Sequence, residues 1–524
     1  MTFSRLKNLS DTMTISVYLH RDTHDNGMTL KEYADAVIDG THPILDHDEY
    51  VYQFGSTESN TIEVNDFFQD IGFKIVEASR VKGLIRVFGT VENFNNIFNI
   101  TLLDVTDDTG RTYTSHDSPV IVPADISSMV EQVLGFDESF IAKKHAVVCE
   151  ASVANPLTAV TPVQMSIAYN MPPSNGYGGC VGIFELTYSG YVTGYNQTDV
   201  NSSFSRIGLS APTIVQISVD GATASTTSDL ESMLDIFCAG GVAPKALIAY
   251  YTAPNTGTAP INDIFLAVAA DTTNNPTALD VSWGIGDGTQ YDTALQSCVV
   301  KGITVFISSG DNGAVNLSTA ATCCSPYMVS AGGTSINLNG SAQITSETAW
   351  SGSGGGVSAS VPLPSWQSGL TTTTITASST GSPTALPYRG VPDISAPADP
   401  NTGYAYYVNG VLNQVGGTSA AAPLLAGIWA RLNQQLGQRI PFNMSTWYSN
   451  RALLFNDITS GDNRDGYTTG YTTTTGWDAV TGLGTPKVDQ IYKYFHTGST
   501  FPKQNYGFRP TSGPSYPRKT TGVR

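Results

Sequence analysis

The chain has 524 residues, a formal net charge of -18 and a charged fraction of only 13%. That length allows two or more domains and a large buried core, and the shortage of Lys and Arg excludes nucleic acid as the main partner, because phosphate binding needs cationic side chains. An acidic composition suits low pH, where carboxylates are protonated and few cations remain to repel one another.

Residues 1–150 are expected to form an α+β unit. Thr12–His20 alternates like a strand, and Thr29–Ile38 and Thr61–Ile71 have helical spacing. Phe73–Glu77 and Leu84–Gly89 read as paired strands, Val91–Phe98 as a helix, and Leu102–Val105 and Thr112–Ser115 as short strands. This order implies a ferredoxin-like sheet. Residues 151–161 are rich in Ala, Pro, Thr and Val and read as a linker open to proteolysis. Within 162–497, the apolar runs Val181–Leu186, Thr213–Ser218, Ala246–Tyr251, Ala278–Trp283 and Gly302–Ser308 alternate with helical stretches. That pattern implies a parallel sheet covered on both faces. Ser351–Ser360, Thr371–Ser382 and Tyr467–Thr475 read as surface loops, and 498–524 as a disordered basic tail.

No apolar run is long enough to span a bilayer, so no membrane partner is expected. Met1–Leu30 lacks the apolar stretch of a signal peptide, although an extracellular or acidic compartment is the expected location. The six cysteines fit no zinc spacing; they allow one or two disulfides but do not form a disulfide framework.

Between Ala146 and Phe495 there is no histidine. Inside that stretch lies Gly416-Gly417-Thr418-Ser419-Ala420-Ala421-Ala422-Pro423, which reads as the nucleophile segment of a subtilisin-like serine peptidase. A serine hydroxyl needs an adjacent base, so the base for Ser419 is expected to be a carboxylate. Ser419 precedes an Ala-rich helix whose N-terminus favours developing negative charge, though a Ser/Thr cap on a buried helix would look the same. In Ser228–Phe237, Glu231 and Asp235 are four residues apart and share a helix face. Two such carboxyls near a buried surface resist joint ionisation and can share a proton. The competing explanation for Glu231 is a capping box with Ser228, which leaves Asp235 unexplained. Val305–Ser308 runs into Gly310-Asp311-Asn312-Gly313, where a protonated aspartate at a strand end can donate to an oxyanion; an ordinary turn aspartate is the plainer reading.

Together these motifs resemble the sedolisin family of serine-carboxyl peptidases, of the kumamolisin-like type with a pro-domain. The resemblance spans nearly the whole chain except the tail. Val281–Gly284, Trp350 with Gly354–Gly356, Arg389–Ser395 and Ala398–Tyr404 also match, while Asn312 and Cys323-Cys324 depart from the pattern. The resemblance implies a subtilisin-like catalytic domain over 162–497 with Ser419, Glu231 and Asp235 as triad and Asp311 at the oxyanion. Glu185 would hydrogen-bond to the catalytic glutamate, with Trp283 as a supporting residue. It further implies a self-processing zymogen, active in acid on protein or peptide substrates, inhibited intramolecularly by its own pro-domain, and monomeric. One structural Ca2+ is implied, held by Asp457 and Asp478 carboxylates and the Ile458, Thr474 and Gly476 carbonyls. An endopeptidase is expected in preference to a tripeptidyl-peptidase. The rivals are a non-catalytic binding or structural protein on this scaffold, and a Ser-His-Asp peptidase, which would need His145 or His496 at Ser419.

Overall fold

The computed structural model describes residues 3–497 apart from 22, 24–26, 140, 145–146, 149–158, 174–178, 188–191 and 316–322. Most of the expected linker and the whole expected tail lie outside the described residues.

The N-terminal unit is a four-stranded antiparallel sheet in the order Lys74–Ser79, Leu84–Thr90, Thr12–Leu19, Val130–Leu134. Its helices Leu30–Ile38, Glu58–Asp70 and Val91–Phe98 lie close to their expected spans, and the order is that of a ferredoxin-like sheet. The helix His47–Phe54 and the strand Val130–Leu134 are additions to the expected set. Side chains alternate across the central strand. Met13, Ile15, Val17 and Leu19 pack with Val64, Phe68, Val87 and Phe94 in the unit's own core. Ser16 and Tyr18 point the other way and donate to the buried Asp263 carboxyl at 2.7 and 2.6 Å. Arg86, opposite Ser16 on the next strand, pairs with Asp220 at 2.9 Å. A second core crosses between the two units, in which Tyr33, Ala34 and Val37 are continuous with Leu295 and Val299.

The second unit contains an eight-stranded sheet. In chain order the strands are β1 (Cys180–Thr187), β2 (Ile214–Ser218), β3 (Leu247–Pro254), β4 (Ala278–Val281), β5 (Thr304–Ser308), β6 (Val329–Leu338), β7 (Ile344–Ala349) and β8 (Ile394–Pro397). The path is β2-β3-β1-β4-β5-β6, with β7 and β8 both on β6. Every pairing is parallel except β6 with β7. Four helices pack against this sheet: α1 (Leu230–Val242), α2 (Thr258–Ala270), α3 (Asp292–Val300) and α4 (Thr418–Leu436). They cover opposite faces, as β1 shows. Phe184 stacks on Phe265 of α2 with centroids 5.5 Å apart, and the next residue, Glu185, meets Ser232 of α1. Burial on both faces explains why β1, β3, β4 and β5 read as unbroken apolar runs.

The expected surface loop Ser351–Ser360 is partly internal. Ser353 and Ser358 are buried, and Gly354 lies where a Cβ would come 2.2 Å from the Ser309 carbonyl oxygen. Within Thr371–Ser382, Thr372 and Thr373 are buried, and Thr374–Thr376 pairs with Thr469–Tyr471 of the third expected loop. At these positions small and hydroxylated residues mark close packing of chain on chain, while 377–382 and 467–468 are exposed as expected. Cys180, Cys238, Cys298, Cys323 and Cys324 are all free and buried, so they form none of the disulfides that six cysteines allow. Among the described residues, no helix is long and apolar enough to cross a membrane.

Entry into β8 is fixed by a buried ion pair. Arg389 donates to both Asp393 oxygens at 3.1 and 2.6 Å, and Tyr448 and the Ser330 N–H donate to the same carboxylate. Removing one partner of such a pair strands a buried charge and costs about 3–5 kcal/mol. Asp393→Asn is therefore expected to lower the melting temperature of the second unit sharply by calorimetry, whereas Arg111→Ala, at an exposed pair, leaves it nearly unchanged.

Candidate active site

The carboxyl ends of β1, β4 and β5 and the N-termini of α1 and α4 meet in one place, the usual position for a site in a parallel sheet. α1 is capped by Asp229, which accepts from the Glu231 and Ser232 N–H groups at 3.0 and 3.3 Å. Ser228, offered by the spacing as the cap of a capping box, instead donates to Asp199 at 2.6 Å. A carboxylate satisfies the exposed N–H groups and also the positive helix end. The Glu231 side chain is thus left for the interior, where it and Asp235 are both buried.

Gly417, at φ 105°, turns the chain into α4, a conformation costly for any residue with a Cβ. Ser419 follows in the first turn, buried, its hydroxyl donating to the Ser282 carbonyl at 3.3 Å. Both Glu231 oxygens are buried without a hydrogen-bond partner. Burial pushes this carboxyl well above its ordinary range, while Lys144 and the nearby Ser419 hydroxyl pull the other way. Asp235 accepts from the Ser282 hydroxyl at 2.8 Å through one oxygen, and its other oxygen is unpartnered. Burial raises it too, followed by the charges of Asp280 and Glu231.

Asp311 accepts from both the N–H and the hydroxyl of Thr418 at 2.7 Å. Its second oxygen is buried and unpartnered, and burial pushes the carboxyl up to about 7. Gly310 N–H donates to the same Thr418 hydroxyl at 3.0 Å, which ties the strand-end turn to the start of α4.

Glu185 does not bond directly to Glu231. Its oxygens accept from the Trp283 indole N–H at 3.1 Å and face the Ser232 hydroxyl at 2.7 Å. Neutral donors satisfy a buried acid at less cost than a second acid. Burial still raises Glu185 to about 7. Asp280, on β4, belongs to the same cluster although no motif points to it; its Oδ1 lies 3.4 Å from the Ser282 hydroxyl. One signal was present in the residues: an acid inside the apolar run Ala278–Val281. His145 lies outside the described residues, and His496 stacks on Tyr492, 5.3 Å between centroids, on the C-terminal helix.

The expected cation loops do converge. Asp457 accepts from Gly476 N–H at 2.8 Å, and Asp478 from Thr474 N–H at 3.1 Å. Among the described residues, no three His, Cys, Asp or Glu side chains gather as a metal-binding group.

The subtilase family model matches residues 221–484, and the activation domain of pro-kumamolisin matches residues 3–139. The chain is 32% identical over 509 residues to kumamolisin of Bacillus sp. (strain MN-32), covering 90% of each protein. This chain belongs to the sedolisin family. It is also 30% identical to xanthomonalisin of Xanthomonas sp. (strain T-22), over 85% of this chain and 61% of that protein. In fold it matches Pseudomonas sedolisin, a serine-carboxyl proteinase solved with two molecules of pseudo-iodotyrostatin, at TM-score 0.54 and 24% identity, over 65% of this chain and 98% of that one. The N-terminal unit of this sedolisin-family peptidase is accordingly an activation domain.

Its buried acids make a stability prediction. Glu185 and Asp311 keep a proton when folded at a pH where the unfolded chain has lost it. Their stabilising effect is complete below the ordinary carboxylate range and is lost as pH rises through about 7. Asp107 shifts oppositely, to about 2 under the Thr109 hydroxyl, but it is exposed to solvent and weighs little. Ser419→Ala, chosen to prevent self-digestion, is expected to melt at least about 5 °C higher near pH ~4.5 than near pH ~8. A scanning-calorimetry series across that range checks it.

Proposed function

We propose that this chain is an acid-active serine-carboxyl peptidase made as a self-processing zymogen. The supporting observation is the set of buried, unpartnered carboxyl oxygens on Glu231, Asp235 and Asp311 around Ser419. Such atoms are expensive to bury unless protonated or waiting for a partner. In this reading the Ser419 hydroxyl attacks the scissile carbonyl carbon and Glu231 accepts its proton. Glu231 and Asp235 carry one negative charge between them in acid, and Asp235 orients Glu231 and shares the proton. The protonated Asp311 carboxyl and the Ser419 N–H donate to the tetrahedral oxyanion. Collapse expels the amine, which takes the proton from Glu231, and water then releases the acyl group.

Residues 1–150 would act as the intramolecular inhibitor, 151–161 as the linker, 162–497 as the catalytic domain and 498–524 as a tail. Endopeptidase activity is favoured because a chain segment continues past Ser419 on both sides: Lys143–Lys144 pairs with Trp283–Gly284, and Val147–Val148 with Val415–Gly416. A cleft that receives the middle of a chain has no need of a free N-terminus.

A single structural calcium ion is part of this proposal. Asp457 and Asp478 reach the same Thr474–Gly476 segment, and with the Ile458, Thr474 and Gly476 carbonyls they form an all-oxygen set suited to a hard cation. When bound, the ion would supply charge neutralisation and cross-linking of these loops and take no part in hydrolysis.

Activity on an unfolded protein is expected to peak in acid and to fall as pH rises through about 7, where Asp311 loses its proton. Ser419→Ala should abolish hydrolysis and self-processing, and Glu231→Gln and Asp311→Asn should each lose about a hundredfold or more in kcat. An optimum above neutrality, or near-full activity in Glu231→Gln, would sink the assignment. For the cation, chelation should lower the melting temperature of the wild type but not of Asp478→Ala. Equal wild-type melts, together with no calcium by elemental analysis, would remove the site.

A further inference from the structure

The segment Lys143–Val148 meets the catalytic domain at two short ladders, one on each side of Ser419. Lys144 stands opposite Trp283, directly after Ser282, whose carbonyl receives the Ser419 hydroxyl. Val147 stands opposite Gly416, three residues before Ser419. In the sequence, the peptide bond midway between Lys144 and Val147 joins His145 to Ala146. Counted from that bond, Lys144 is the second residue on the N-terminal side.

The Lys144 side chain has a specific environment. Its ammonium group lies 2.7 Å from Asp229 Oδ1 and 5.2 Å from the centroid of the Trp283 ring. Asp229 is held rigidly: Gly194 N–H donates to Oδ2 at 2.7 Å, and Oδ1 takes the two capping N–H groups of α1. Trp283 is buried, with its indole N–H on Glu185. A carboxylate and an aromatic face, both fixed before anything binds, make a preorganised pocket for a cation on an aliphatic stem. As the helix cap, Asp229 has its donors without Lys144, so capping explains the carboxylate but not the lysine paired with it. The two side chains are only 22% and 13% exposed, and charge pairs in such a half-buried position count for more than at an open surface.

We propose that Asp229 and Trp283 form a specificity subsite for lysine or arginine at the second residue before the scissile bond, and that Lys144 of the activation domain is its first occupant. This rests on the peptidase reading and adds the substrate class: chains with a basic residue followed by one residue and then the cleaved bond. An acidic side chain at that position would meet Asp229, with Glu185 and Glu231 behind it, and be rejected by like charge.

The test uses acid-processed wild type and Asp229→Asn, since asparagine keeps the cap but not the charge. Internally quenched peptides differ only at the second residue before the bond: lysine, arginine, norleucine or glutamate. Norleucine keeps the aliphatic stem against Trp283, so it isolates the charge. Wild type is expected to cleave the lysine and arginine peptides with kcat/KM about tenfold or more above norleucine, with glutamate lowest. In Asp229→Asn the lysine-to-norleucine ratio should fall towards one. The earliest processed form of the full chain should begin at Ala146, and Lys144→Glu should slow its appearance. A wild-type ratio near one, a ratio unchanged in Asp229→Asn, or a first cut outside Lys144–Val147 overturns the subsite while leaving the peptidase reading standing. If wild type cleaves no peptide at any pH, the peptidase reading fails and the subsite fails with it.

Discussion

The organising constraint of this molecule is the cost of burying acids beside one another. Glu185, Glu231, Asp235 and Asp280 share one dry region between the sheet and the start of α4. Four carboxylates there could not all be charged. Either protons must be held at a pH where free carboxyls have lost them, or neutral donors must be supplied from nearby. Both occur. Ser232, Ser282 and Trp283 provide donors, and burial raises all four acids. A histidine in the same place would be protonated in acid and could not accept a proton from serine. A cluster of acids keeps that capacity because its first ionisation leaves one charge shared and the next suppressed.

The surrounding architecture serves to bring these groups together and keep water away. Alternation along β1 sends Phe184 to one face and Glu185 to the other. α1 presents Glu231 and Asp235 on the turn facing the sheet. The Asp311–Thr418 contacts join the end of β5 to the start of α4, so the serine and the aspartate of the strand-end turn are positioned by one rigid joint. The Arg389–Asp393 pair plays the same part for β8.

Much of this was legible in the residues because the informative features are local. Five strands stood out as apolar runs, four of them buried and one at the sheet edge, and Glu231, Asp235, Asp311 and Ser419 stood out as acids or a serine at helix or strand ends. What was missed depended on tertiary context. β6, β7 and β8 are interrupted by Gly, Ser and Thr, which pack against neighbouring chain and so mimic loops. The helix at His47–Phe54 buries only Tyr50 and Phe54, too few for a period, although its capping box of Asp46 and Glu49 was there to be read. Asp280 was hidden because an acid in a short apolar strand has no spacing partner. The direct bond from Glu185 to Glu231 gave way to Ser232 and Trp283, a choice set by competition among donors that spacing does not encode.

The activation domain is attached at several separated places: the Asp220 and Asp263 carboxyls, the apolar core through Tyr33, Ala34 and Val37, and the cleft ladders. Separate attachments on one body reinforce each other, because while one holds, the others remain at high local concentration. A cut between Lys144 and Val147 would leave the Lys143–Lys144 ladder and the contacts outside the cleft on the activation domain, and pass only the Val147–Val148 ladder to the catalytic domain. On the zymogen reading, the cut chain would therefore stay assembled and silent until these contacts open together, so the onset of activity would lag behind the cut and grow faster on dilution.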